Sequence, residues 1–128
     1  MKATVLWENS GTGELAGGWG LGVFIEERGV KVLLDAGADG LFAENALRLG
    51  LALDEVDHAV LSHAHYDHAD GMADFLAQNT KAKLYLRESC GENCYKKEAD
   101  RWKYIGIGEG LRRQNKERLG RGTGEWEP

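Results

Sequence analysis

Short blocks of apolar residues, each bounded by glycine or charge, run along most of the first 86 positions of this chain. Ala3–Trp7 predicts an opening strand. Gly22–Glu26 and Val30–Leu34 are rich in β-branched residues and separated only by Glu27-Arg28-Gly29, which predicts an antiparallel hairpin. From Asp39 to Leu49 the period changes to that of an amphipathic helix. Leu41, Phe42, Asn45, Ala46 and Leu49 form its inward stripe, with Asn45 the polar exception and Gly50 the stop. Val56–Leu61 reads as a buried strand, Ala69–Ala77 as a helix and Lys83–Leu86 as another strand. The pattern then weakens. Arg87–Lys103 is polar and reads as helical or irregular, Tyr104–Ile107 as a last extended piece, and Leu111–Leu119 as a weak polar helix. Alternating β-α-β-α-β elements after a hairpin predict an α/β layered fold.

The glycine-rich segment Gly11–Gly22 contains Gly11-Thr12-Gly13-Glu14-Leu15-Ala16, which matches the G-x-G-x-x-A form of a dinucleotide-binding turn. That chemistry requires a helix directly after the turn, with its N-terminus at the pyrophosphate. The run Gly17-Gly18-Trp19-Gly20-Leu21-Gly22 would destroy such a helix. A loop bordering the functional site is the better expectation.

At 128 residues, 42% of them hydrophobic, the chain is the size of one domain with a modest core. No apolar run approaches the roughly 18 residues of a membrane span, and no signal peptide is evident, so a cytoplasmic protein without a membrane partner is expected. The net charge of −5 is uneven. Residues 1–80 hold 4 Lys/Arg against 13 Asp/Glu, whereas residues 81–128 hold 12 against 8. Because the basic third mixes both signs, it reads as a solvated face, and nucleic acid is not an expected partner. Cys90 and Cys94 are too few for a disulfide framework. They read as reduced structural thiols, spaced to share a helix face.

Candidate chemistry is concentrated in Leu61-Ser62-His63-Ala64-His65-Tyr66-Asp67-His68-Ala69-Asp70-Gly71. This stretch places three of the four histidines and a carboxylate within six residues, at a strand-to-helix turn. Imidazoles with a carboxylate suit zinc, with iron or manganese as alternatives, better than calcium or magnesium. In an extended loop His63, His65 and Asp67 point to one side, while His68 points elsewhere unless the chain turns. One ion can then take His63 and His65 while Asp67 and His68 reach a second, or all four can surround a single ion. A polar surface turn rich in histidine is the bland alternative, and the density of the motif argues against it. His58 lies outside the motif and is expected to be a surface or packing residue.

The spacing H-x-H-x-D-H resembles the signature of the metallo-β-lactamase superfamily of metal-dependent hydrolases. Within it, residues 18–108 look most like the dihydropterin phosphate synthase-like group, whose members act on a phosphorylated ribofuranosyl-aminobenzene. Gly20-Leu21, Leu33-Leu34-Asp35-Ala36-Gly37, Phe42-Ala43-Glu44-Asn45-Ala46, Asp57 and Lys103-Tyr104-Ile105-Gly106-Ile107 support the likeness beside the motif. Gly18-Trp19 departs from the Glu-His usual before that Gly-Leu, and Ala69-Asp70-Gly71 from the usual Thr-Gly-Gly.

The resemblance implies one half of an αββα sandwich: a mixed sheet with helices on one face over residues 1–108, followed by a polar, flexible tail at 109–128. It implies a hydrolase in which His63, His65, Asp67 and His68 hold one or two ions, with Asp67 orienting the attacking water. Asp35 would support the histidines from behind rather than hold metal. The substrate would be a phosphoester, ester or amide of a small, phosphorylated molecule. The family's later ligands lie in a second half, and no histidine follows His68 here. A homodimer pairing sheet against sheet would supply what is missing. The alternative is a truncated, non-catalytic metal-binding or interaction module.

Overall fold

The computed structural model describes residues 1–91 and 94–108. The tail expected at 109–128, with its weak polar helix, lies outside the described residues.

Five strands form one sheet in the order β1-β2-β3-β4-β5: β1 (Lys2–Trp7), β2 (Gly22–Glu27), β3 (Val30–Ala36), β4 (His58–Leu61) and β5 (Lys83–Leu86). The first three pair antiparallel, and β3-β4 and β4-β5 pair parallel, so the sheet is mixed. Arg28 at φ 48° and Gly29 at φ 81° make the β2-β3 turn, as the short polar connection predicts. Each strand turns one set of side chains toward the helices. Phe24, Leu33, Ala59, Leu61 and Leu84 on that face are all buried. The alternate set, with Val23, Ile25, Val32, Leu34 and Val60, is only half-buried, so the second face of the sheet is apolar and partly open to solvent.

The helices are α1 (Leu41–Arg48), α2 (Tyr66–Ala69) and α3 (Met72–Gln78). Phe42, Ala46, Met72 and Phe75 carry them onto the sheet. Burying either phenylalanine contributes about 2–3 kcal/mol of transfer free energy. The inward stripe of α1 is narrower than its periodicity predicts: Leu41 and Leu49 are exposed, and only Phe42, Asn45 and Ala46 are fully buried. Asn45 belongs there because its amide donates to the Leu6 and Ala16 carbonyls at 2.7 Å each and accepts from the Ala16 amide at 3.0 Å. It ties the glycine-rich loop to the core. Asn79, also buried, does the same after α3, donating to Leu53 and Val56 and accepting from Lys81 and Ala82.

Three expectations are corrected. The helix expected at Ala69–Ala77 begins only at Met72 and is preceded by the separate short α2, the two parted at Asp70-Gly71, where the chain presses against the Ala36 carbonyl so closely that a Cβ on Gly71 would overlap it. The strand expected from Val56 begins at His58, because Leu53–Glu55 winds into a single 3-10 turn first. Arg87–Lys103 is neither helical nor irregular throughout. After a 3-10 turn at Glu88–Gly91 it forms a hairpin of β6 (Tyr95–Glu98) and β7 (Arg101–Tyr104). The Tyr95 and Tyr104 rings meet across that hairpin at 5.2 Å, a cross-strand pairing that outweighs the polar composition. Cys90 and Cys94 therefore share no helix.

Asp57 gathers the starting ends of the three parallel strands β3, β4 and β5. Its carboxylate accepts from the Lys31 amide and from Lys81 Nζ at 2.9 Å each, and its backbone bonds Lys31 and Lys83. The hydrogen bond from the Lys31 amide, and then Lys81, holds its carboxyl below the usual carboxylate range. A depressed folded-state pKa contributes stability that is present above the unfolded value and lost as pH falls through the folded one. Urea midpoints of Asp57→Asn are therefore expected to fall less steeply than wild type as pH drops from about 5 through the carboxylate range.

Candidate metal centre

The parallel register between β3 and β4 sets the site. Leu34 lies opposite Val60, so Asp35, next to last in β3, stands just beside the end of β4, and the motif leaves β4 directly after Leu61. Ligand sites in such sheets form beyond the carboxyl ends of parallel strands. Asp35 is 1% exposed and sits at φ 54°, a left-handed backbone that aspartate tolerates better than most residues. Its carboxylate is fully engaged. Oδ1 accepts the Ser62 amide at 2.8 Å, and Oδ2 accepts the Ser62 hydroxyl at 2.6 Å and lies 2.8 Å from His68 Nδ1. An ionised carboxylate only accepts, so the His68 Nδ1 that bonds it carries a proton, and Nε2 is the ring nitrogen turned away from Asp35.

The chain turns where the motif needs it to. His65 stands extended at φ −74°, ψ 144° and caps α2, whose first turn carries Asp67 and His68. His68 consequently swings back toward the other histidines. Its ring centroid lies 4.2 Å from that of His63, which in turn lies 4.6 Å edge-on from that of His65. His68 Nε2 is 3.9 Å from the Asp67 carboxylate. Two ligands of a tetrahedral zinc stand about 3.4 Å apart, so this pair is within a small adjustment of sharing an ion. One donor atom each from Asp35, His63 and His68 lie within 4.8 Å of one another, a possible metal-binding group. Within it, the Asp35 oxygens are already committed to Ser62 and His68. Burial, followed by the neighbouring His68 and His65, pushes the His63 imidazole below its ordinary pKa, which favours the neutral ring.

Neighbouring segments hold the loop from both sides. The Ala64 amide donates to the Cys90 carbonyl at 3.0 Å, and the Ala64 carbonyl accepts the Ile107 amide at 2.7 Å and the buried Cys94 thiol at 3.7 Å. The Tyr66 amide donates to Ile105, and the Gly108 amide to Asp70 Oδ1 at 2.8 Å. From the other side Gly20, at φ 119°, lies against the Asp67 backbone, so the glycine-rich loop does border the site. His58 lies at the start of β4, edge-on to Tyr85 at 5.6 Å and apart from the motif, as its position outside it predicts. Ser62 is the residue that the sequence reading passed over. Its signal was a hydroxyl directly before the first motif histidine, at the end of a buried strand.

A half-sandwich with histidines and a carboxylate on the loop after a central parallel strand defines the class: the fold of metal-dependent hydrolases. The sequence profile of the Metallo-beta-lactamase superfamily matches residues 11–126, and the chain belongs to that superfamily. Over 53 residues it is 40% identical to the uncharacterized protein MJ0448 of Methanocaldococcus jannaschii, a match covering 41% of this chain and 21% of that one. Its structure is similar to that of Tm1679, a metal-dependent hydrolase of the beta-lactamase superfamily, with 28% identity, a TM-score of 0.63, and coverage of 85% of this chain and 37% of Tm1679. The MIM-2 metallo-beta-lactamase shares the fold at 24% identity and a TM-score of 0.58, over 83% of this chain and 39% of its own. The chain thus spans well under half the length of these relatives. No helix among the described residues is long and apolar enough to cross a membrane.

Proposed function

We propose that this chain carries the first-half metal site of a hydrolase acting on a phosphoester, ester or amide. The observation that carries the reading is the convergence of the His63, His65 and His68 rings beside Asp67, with Asp35 fixing His68 from behind. His63, His65, Asp67 and His68 would hold one or two ions, zinc foremost, with iron or manganese as alternatives. A metal bound there would supply Lewis acidity and a water of lowered pKa. The protein's own part is to hold the imidazoles in orientation and to direct the reacting water with Asp67. The substrate would be a small molecule, with a phosphorylated one favoured by the likeness to the dihydropterin phosphate synthase-like group, and nucleic acid disfavoured. A cytoplasmic setting accords with two cysteines that are thiols.

Three histidines and one carboxylate serve two ions sparsely, since a catalytic zinc ordinarily has three protein ligands and a water. The half-buried apolar face around Val23, Ile25, Val32, Leu34 and Val60 suggests how the remainder is supplied. A homodimer packed sheet against sheet would cover it. The sparse ligand set favours a second reading, a metal-binding module without turnover.

Hydrolysis of generic phosphoesters by zinc-loaded wild type and His65→Ala separates the two. The hydrolase reading expects turnover that falls at least about 100-fold in His65→Ala. Equal background rates in both proteins would leave the module.

A further inference from the structure

The pairing of Ser62 with both Asp35 and His63 reaches beyond ligand assignment. Its Oγ lies 2.6 Å from Asp35 Oδ2 and 2.8 Å from His63 Nδ1. A serine hydroxyl has one proton to give, and the carboxylate can only accept. The proton therefore goes to Asp35, and Oγ faces His63 with a lone pair. His63 Nδ1 must then be the donor, which leaves Nε2 as the unprotonated nitrogen. His68 reaches the same state by bonding the same oxygen, Asp35 Oδ2, directly.

We propose that Ser62 is a positioning residue, a relay through which the one buried carboxylate of Asp35 sets the tautomer and ring orientation of His63 as well as of His68. The proposal builds on the metal-site reading. It goes further by assigning a role to a side chain outside the ligand set, and by linking two histidines on different parts of the loop to one acceptor. Partners of this kind orient ligands and raise their basicity, and losing one typically costs 10–100-fold in metal affinity. Ser62 lies on the exposed side of the loop, and its backbone amide keeps its own bond to Asp35 Oδ1 whatever the side chain. Removing the hydroxyl therefore isolates the relay from the fold.

The test is imidazole ¹⁵N spectroscopy of histidine-labelled, metal-free wild type, Ser62→Ala and Ser62→Thr, followed by zinc titration of each. Wild type and Ser62→Thr are expected to show His63 protonated at Nδ1. Ser62→Ala is expected to lose that single tautomer while His68 keeps its own, and to bind zinc about 10–100-fold more weakly, with Ser62→Thr restoring the affinity. A His63 protonated at Nε2 in wild type, or one unchanged in Ser62→Ala, would overturn the relay. The tautomer is read without metal, so a protein that bound no zinc would refute the hydrolase reading while the spectra still decided the role of Ser62.

Discussion

Asp35→Ala is expected to lose at least about 100-fold in zinc affinity and about 3–5 kcal/mol of stability. Three donors converge on the carboxylate: the Ser62 amide, the Ser62 hydroxyl and His68 Nδ1. The hydroxyl can turn to water, whereas the other two are left poorly satisfied, at about 1–3 kcal/mol each. Alanine also lacks aspartate's tolerance of φ 54°, which adds about 1 kcal/mol. Asp35→Asn keeps the shape and the backbone preference but turns an amide toward at least one donor, so it should fall between wild type and alanine in both measurements. Urea denaturation of the metal-free proteins gives the stability, and zinc titration the affinity. An alanine variant within about 1 kcal/mol of wild type would mean that the carboxylate network does not hold the loop.

Gly20→Ala should have the second-largest effect, and for a different reason. Gly20 has φ 119°, and a Cβ there would overlap the Asp67 carbonyl oxygen, a backbone atom that cannot swing aside. Either the glycine-rich loop lifts or the first turn of α2 shifts, carrying Asp67 and His68 with it. The expected cost is about 2–4 kcal/mol from backbone strain and overpacking together. Gly29→Ala is the control. Its φ of 81° is similarly left-handed, but nothing lies within 4 Å of the added carbon. That variant should lose only about 1 kcal/mol and bind zinc as wild type does. Equal effects of the two alanines on stability and affinity would show that strain alone, and not the contact with the metal loop, accounts for Gly20.

Most of the sheet was legible because it is built from local patterns. The strands are short apolar runs, the Glu27-Arg28-Gly29 turn is polar, and the motif stands where β4 ends. What escaped depends on contacts between distant segments. The break at Gly71 exists because Ala36 approaches from β3, 35 positions earlier, and no helical period records that. The β6-β7 hairpin carries exposed side chains along most of its length, so it shows no alternation between buried and solvated positions, and a polar helix was an equally good reading. In the site, the ligand types were plain from composition alone. That Asp67 and His68 face one another, with His63 between His65 and His68, required the turn into α2. That an apolar strand runs into Asp35 was readable from the residues, and its support of the histidines came from family likeness. Its left-handed backbone and its three bonds come from packing beside β4.

The central claim is that the motif of this chain is a working metal site. The most direct test is the number of zinc ions retained per chain after gel filtration, measured together with molecular mass in solution, for wild type and His63→Ala. The account predicts one or two tightly held ions in a wild-type dimer and loss of zinc in His63→Ala. A metal-free monomer after loading with zinc would contradict it.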